Sequence, residues 1–233
     1  WPRTEVSVFQ LPRQNWALTK DVLAASTSCD GCITTSIAAP VLSKISDSTD
    51  LVELVAGALS LCSRGAFVAG DTSPIATLER LTELQVTFLG QLVEQARVWA
   101  HSLLQEIIIA FATAPPSSED LRIHIVAYST GSLALQQAVR LPGWQALPSD
   151  CLSADIFGSP CTPRLPIRST DWVHVGDLVP ATFRQVEGAL PDACSPCPPS
   201  LTCTRTVGSA ADPHPHHIGS YLSHFRAACS GAG

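Results

Sequence analysis

Three residue types that can together activate a hydroxyl group occur in this chain, each in a setting that reads as a turn. Ser129 stands at the centre of Ala127-Tyr128-Ser129-Thr130-Gly131, a small-x-Ser-x-Gly pattern. Asp177 follows the short apolar run Trp172-Val173-His174-Val175 and precedes Leu178-Val179-Pro180. His214, His216 and His217 cluster just before the last element, Ile218–Ala228, which reads as a short helix. A serine hydroxyl is a poor nucleophile near neutral pH, so an imidazole must take its proton and a carboxylate must orient and stabilise that imidazole. The chain supplies these in the order Ser, Asp, His, each on a separate inferred loop. His217, nearest the start of the last helix, is the expected base, with His216 as the alternative. The backbone N–H of Thr130, the residue after the nucleophile, is the expected first donor to an oxyanion.

The elements that must hold these groups are legible around them. Leu121, Ile123, Ile125 and Val126 give the branched apolar pattern of a buried strand, and SLALQQAVR after the turn is a good helix former. Strand, sharp turn, helix is the context of a nucleophile elbow, with the hydroxyl lifted above the sheet edge. A long helical segment runs from Ser73-Pro74 to about Ala112, either one helix or two with a bend, with Ser73 as N-cap and Pro74 in the first turn. Further strands are expected at Glu5–Gln10, Leu152–Phe157 and Trp172–Val175. Alternating helices and short strands predict an α/β fold, a mostly parallel sheet with helices on both faces, in one domain spanning 1–233. A cap or lid excursion is expected over 24–72, where Leu51–Leu61 reads as a buried helix or a lid. The stretch 187–215, rich in proline and holding Cys194, Cys197 and Cys203, reads as a stapled insert.

Composition narrows the function classes. A net charge of −6 with only 14 dispersed Lys and Arg leaves no footprint for nucleic acid. No apolar run reaches membrane-spanning length, so no transmembrane segment is expected. The chain starts at Trp1 and contains no methionine, which is expected of a processed form that has lost a targeting peptide. Nine cysteines suggest disulfides and a secreted protein or another oxidising compartment, with at least one thiol left over. Two weaker metal readings compete: a zinc site from Cys29-Asp30-Gly31-Cys32 with Cys194-Ser195-Pro196-Cys197, and a ligand set of Asp212 with the three clustered histidines. Pro213 and Pro215 interrupt the second, and neither metal nor cofactor is expected. His101 and His224 fall in helical segments, and His124 and His174 in strands, so all four read as structural. Asp171 lies before the strand at 172–175, at the wrong end to act as the acid.

Taken together, these motifs resemble the fungal-type triglyceride lipase family, the class 3 lipases of the α/β-hydrolases. Val8-Phe9-Gln10-Leu11 with Asn15-Trp16 and Asp21 is similar to the family's Phe-Arg-Gly-Thr strand end, Asn-Trp and Asp. Ala127–Gly131 takes the place of its Gly-His-Ser-Leu-Gly, and Phe157-Gly158-Ser159-Pro160 of its Phe-Gly-x-Pro. Asp177-Leu178-Val179-Pro180 is similar to its Asp-x-Val-Pro, and His217 with Tyr221 to its terminal His and Tyr. The resemblance implies an α/β-hydrolase fold, a catalytic set of Ser129, Asp177 and His217, and hydrolysis of carboxylic esters of lipids or acylglycerols, with transient contact at a lipid interface. It also implies a second oxyanion donor after the first strand, where Pro12 has no N–H and Leu11 is the candidate, with Gln10 as the alternative. Two other readings fit the same residues: an acyl-binding or interaction module without catalysis, and an acyltransferase using the same intermediate.

Overall fold

The computed structural model describes residues 55–57, 59–60, 74–114, 121–190, 200–209, 212 and 215–221. The expected strand at Glu5–Gln10, the loop carrying Gln10 and Leu11, most of the 24–72 excursion and the end of the last helix lie outside the described residues.

Helix α1, Pro74–Thr113, is one uninterrupted helix of 40 residues. Its single proline occupies the first turn, where a missing N–H leaves no intrahelical bond unmade. Phe88, Leu89, Leu92, Val93, Ala96, Ala100, Leu104 and Ile107 are buried at helical spacing and form its inward stripe. Strand β1 (Ile123–Tyr128) leads through Ser129 into helix α2 (Thr130–Ala138), followed by β2 (Leu152–Phe157), β3 (Arg168–His174), helix α3 (Leu178–Phe183) and β4 (Thr202–Val207). The four strands form one sheet in the order β1-β2-β3-β4, every pair parallel. The fold is therefore α/β, built on an all-parallel sheet.

Register explains which side is covered. Ile123, Ile125 and Ala127 stand beside Leu152, Ala154 and Ile156, and this face packs with Leu135 and Ala138 of α2 and Ala100, Leu104 and Ile107 of α1. A second cluster joins Phe88, Leu89 and Leu92 of α1 to Leu133, Val179, Phe183 and the helical residues Val55, Ala56 and Leu59. Each such fully buried Leu or Phe contributes about 1.5–3 kcal/mol, and Val55, Ala56 and Leu59 thereby place part of the Leu51–Leu61 run in the core. On the opposite face Phe157 and Trp172 pack with Tyr221, and with Tyr128, Val207 and Ile218 around them. Residues 218–221 are helical, so this turn covers the carboxyl end of that face. Farther from that end, His124 and Val126 are exposed.

Three sequence expectations need correction. Strand β3 begins at Arg168, four residues earlier than expected, so Asp171 lies within it. Residues 202–207, expected to be irregular, form β4. Thr202, Thr204 and Thr206 alternate along it, and β-branched threonine suits a pleated strand, but its exposed polar pattern lacks the apolar face that usually reveals one. Cys203 on this strand is a free, exposed thiol rather than a staple, and Cys151 is also free. Cys161 is fully buried and disulfide-bonded. No helix among the described residues is long and apolar enough to cross a membrane.

Candidate active site

A parallel sheet presents all its carboxyl ends along one edge, where loops from different strands converge. Ser129 leaves β1 there, Asp177 follows β3 by three residues, and His216 lies on the segment after β4. The structure brings these three side chains into one hydrogen-bonded series.

Ser129 has φ 50° and ψ −123° and is the only non-glycine residue with positive φ among those described. This conformation costs on the order of 1–3 kcal/mol and persists only where its surroundings fix it. Its N–H donates to the Phe157 carbonyl at 2.9 Å, and its own carbonyl accepts from the Ser132 N–H at 3.1 Å. Ser132 Oγ adds a bond to that carbonyl at 2.5 Å and lies 2.7 Å from Ser159 Oγ. The turn is thus tied to both α2 and the end of β2. Ser129 occupies the N-cap of α2, yet its hydroxyl makes no capping bond, the bond a serine at this position ordinarily makes. Instead, Ser129 Oγ is 3.1 Å from His216 Nε2.

His216 is fully buried, and its Nδ1 is 2.8 Å from Asp177 Oδ2. A carboxylate only accepts, so Nδ1 carries the proton and Nε2 is left as the acceptor facing the serine hydroxyl. Asp177 is held in turn. It is the N-cap of α3, with Oδ1 accepting from the Val179 N–H at 2.8 Å, which leaves Oδ2 toward the imidazole. Tyr221 donates its hydroxyl to the same Oδ2. Burial, and then the negative charge of Asp177, push the Tyr221 phenol well above its ordinary value, so it remains a donor. Gly158, at φ +60°, passes so close that a Cβ there would lie 3.0 Å from Asp177 Oδ2 and from His216 Cε1 and Nδ1. Tyr128, inside the Ser129 pentapeptide, donates its hydroxyl to the His216 carbonyl and places its ring 5.2 Å from the imidazole.

His217, the expected base, does not join this series. It precedes the helical residues 218–221, is exposed, and accepts the Gly219 N–H on its Nδ1 at 3.1 Å. Its imidazole thus caps the helix start, while the preceding residue faces inward. Proximity to the helix therefore selects the capping histidine, and His216 is the one beside Ser129. Asp171 is fully buried on β3 and is gripped by Arg184, Nη1 to Oδ2 at 2.8 Å and Nη2 to Oδ1 at 3.0 Å. Burial raises its carboxyl pKa, against the opposing pull of Arg184. Arg184 Nε also donates to the Ser159 carbonyl at 3.1 Å, so this pair braces the turn after β2. Thr130 opens α2, and its N–H is among those a helix start cannot pair internally; Leu11 and Gln10 lie outside the described residues.

A second Ser, His and Asp series lies on the strands themselves, away from the carboxyl edge of the sheet. His124 Nδ1 lies 2.9 Å from Ser153 Oγ, and Nε2 lies 2.9 Å from Asp155 Oδ2. Ser153 is within β2, beside no helix start, and His124 is half-exposed. The bond to Asp155 raises the His124 pKa. Burial works against the Asp155 carboxylate, but bonds from His124 and Trp172 outweigh it and lower the Asp155 pKa. No family model matches the chain, and no curated protein or solved structure matches it significantly.

Proposed function

We propose that the protein is a serine hydrolase of α/β-hydrolase type that cleaves carboxylic esters, with lipid or acylglycerol esters as the substrate class. The observation that carries the reading is the continuous series Ser129 Oγ, His216, Asp177, anchored on a serine held at positive φ. Strain of this kind persists where a side chain must be aimed. The ester class rests on the resemblance of the surrounding motifs to class 3 lipases.

In this mechanism Ser129 Oγ attacks the ester carbonyl carbon while its proton passes to His216 Nε2. Asp177 holds the imidazole by Nδ1–H and stabilises the imidazolium as it forms. The Thr130 N–H faces the developing oxyanion, with a second donor assigned to Leu11 or Gln10. His216 then gives its proton to the departing alkoxide, leaving an acyl group on Ser129. A water molecule, deprotonated by His216, attacks the acyl carbonyl, and the carboxylic acid leaves as Ser129 recovers its proton.

The test is hydrolysis of short- and long-chain p-nitrophenyl esters by the wild type and Ser129→Ala. The wild type turns over and the variant loses on the order of 10³-fold or more in kcat. Equal rates in the two proteins refute the assignment.

A further inference from the structure

The geometry points to a second histidine and aspartate pair, His174 with Asp212, as the device that positions His216, an inference resting on the hydrolase reading above. His174 closes β3 with its side chain fully buried. Its Nδ1 accepts the Gly176 N–H at 3.2 Å, which puts the ring proton on Nε2. That proton is directed at Asp212 Oδ2, 2.5 Å away. The ring therefore serves as a donor between β3 and the chain that follows β4.

Asp212 lies in a local fold-back. Its Oδ2 also accepts the Ser209 N–H at 3.2 Å, and its own N–H donates to the Ser209 carbonyl at 3.1 Å. The approach to this turn leaves no room for a side chain: at Gly208, φ +81°, a Cβ would fall 1.9 Å from His174 Nε2. Four residues after Asp212 comes His216, whose carbonyl accepts the Tyr128 hydroxyl. The chain entering the base is thus fastened at one end to β3 through His174 and at the other to β1 through Tyr128. His174 also reaches the acid, because its backbone N–H donates to Tyr221 Oη at 3.2 Å, and that hydroxyl donates to Asp177 Oδ2. One residue therefore steadies both the acid and the segment that delivers the base, and it does so without touching Ser129.

A positioning role makes a different prediction from general support of the fold. In Asp212→Ala the His174 proton loses its acceptor and the segment before His216 loses one anchor. The rate of Ser129 phosphonylation by a fluorophosphonate and kcat each fall about tenfold or more, while KM stays within about twofold. Asp212→Asn keeps an amide oxygen that accepts the same proton, and it recovers most of both rates. The low-field NMR resonance of the His216 Nδ1 proton supplies a readout independent of turnover. It is present in the wild type, weakened or broadened in Asp212→Ala, and regained in Asp212→Asn. An Asp212→Ala protein with wild-type resonance and labelling overturns the inference, as does a loss that Asp212→Asn leaves unrepaired. A wild type that shows the resonance but is not labelled at Ser129 refutes the hydrolase reading instead, and the positioning claim is then decided by the resonance in the two variants.

Discussion

Replacing Gly158 by alanine adds one methyl group beside both Asp177 and His216. Two costs follow from the structure. The backbone at φ +60° disfavours an L side chain by about 1–2 kcal/mol, which for a chain of this size lowers Tm by roughly 2–8 °C. The new Cβ would also stand 3.0 Å from Asp177 Oδ2 and from His216 Nδ1 and Cε1, against ordinary contacts that begin near 3.4 Å. Both partners belong to the 2.8 Å hydrogen bond that orients the imidazole, so they must separate or shift together away from Ser129. Misplacement of a catalytic group by about 1 Å costs on the order of 10²-fold in rate, and a shift of a few tenths of an ångström a part of that. Steady-state kinetics on a short p-nitrophenyl ester and a thermal melt together read both effects. Expected are a marked fall in kcat, a smaller change in KM and a Tm several degrees lower. Wild-type kcat in a folded Gly158→Ala protein would show that Asp177 and His216 do not need this packing, and would refute the reasoning.

Arg184→Ala leaves Asp171 fully buried without its guanidinium partner; breaking a buried pair in this way costs about 3–5 kcal/mol, visible as a large shift in the denaturant midpoint. A shift no larger than that of an exposed substitution would contradict the brace assigned to Arg184. The His124–Asp155 pair gives a pH dependence of defined sign. His124 titrates above its ordinary 6.5, so its contribution is complete below that value and fades as pH rises through the raised pKa. Asp155 titrates below its ordinary 3.8, so its contribution is complete above that value and fades as pH falls through the lowered pKa. His124 is half-exposed, and the pair is worth only about 0.5 kcal/mol. The Tm gap between wild type and His124→Gln should therefore be wider near pH 5 than near pH 8.5, and a gap independent of pH would contradict the pairing.

Much of this arrangement can be read from local sequence because its signals are local. The strand before Ser129, the small residues of its turn and the helix after it are adjacent in the chain, and the parallel sheet follows from alternation of apolar strands with helices. The place of Asp177 was legible for the same reason, since it lies just beyond the apolar run 172–175 and before the short helix that it caps. The histidine beside Ser129 was harder. His216 and His217 are neighbours directly after Pro215 and share no periodicity, and the choice between them depends on which ring caps the helix and which turns inward. The contacts of Tyr128, His174 and Asp212 were invisible because each is made with a partner at least 38 residues away. Strand β4 was missed because a threonine-rich strand with little buried surface resembles a loop when no neighbouring strand is in view.

The central claim is that His216 activates Ser129. Intact-mass and peptide analysis after fluorophosphonate treatment of the wild type, Ser129→Ala, His216→Ala and His217→Ala tests it most directly. The account predicts one adduct on Ser129 in the wild type and in His217→Ala at similar rates, none in Ser129→Ala, and labelling slowed by about 10³-fold or more in His216→Ala. Labelling that depends on His217 and is indifferent to His216 would contradict it.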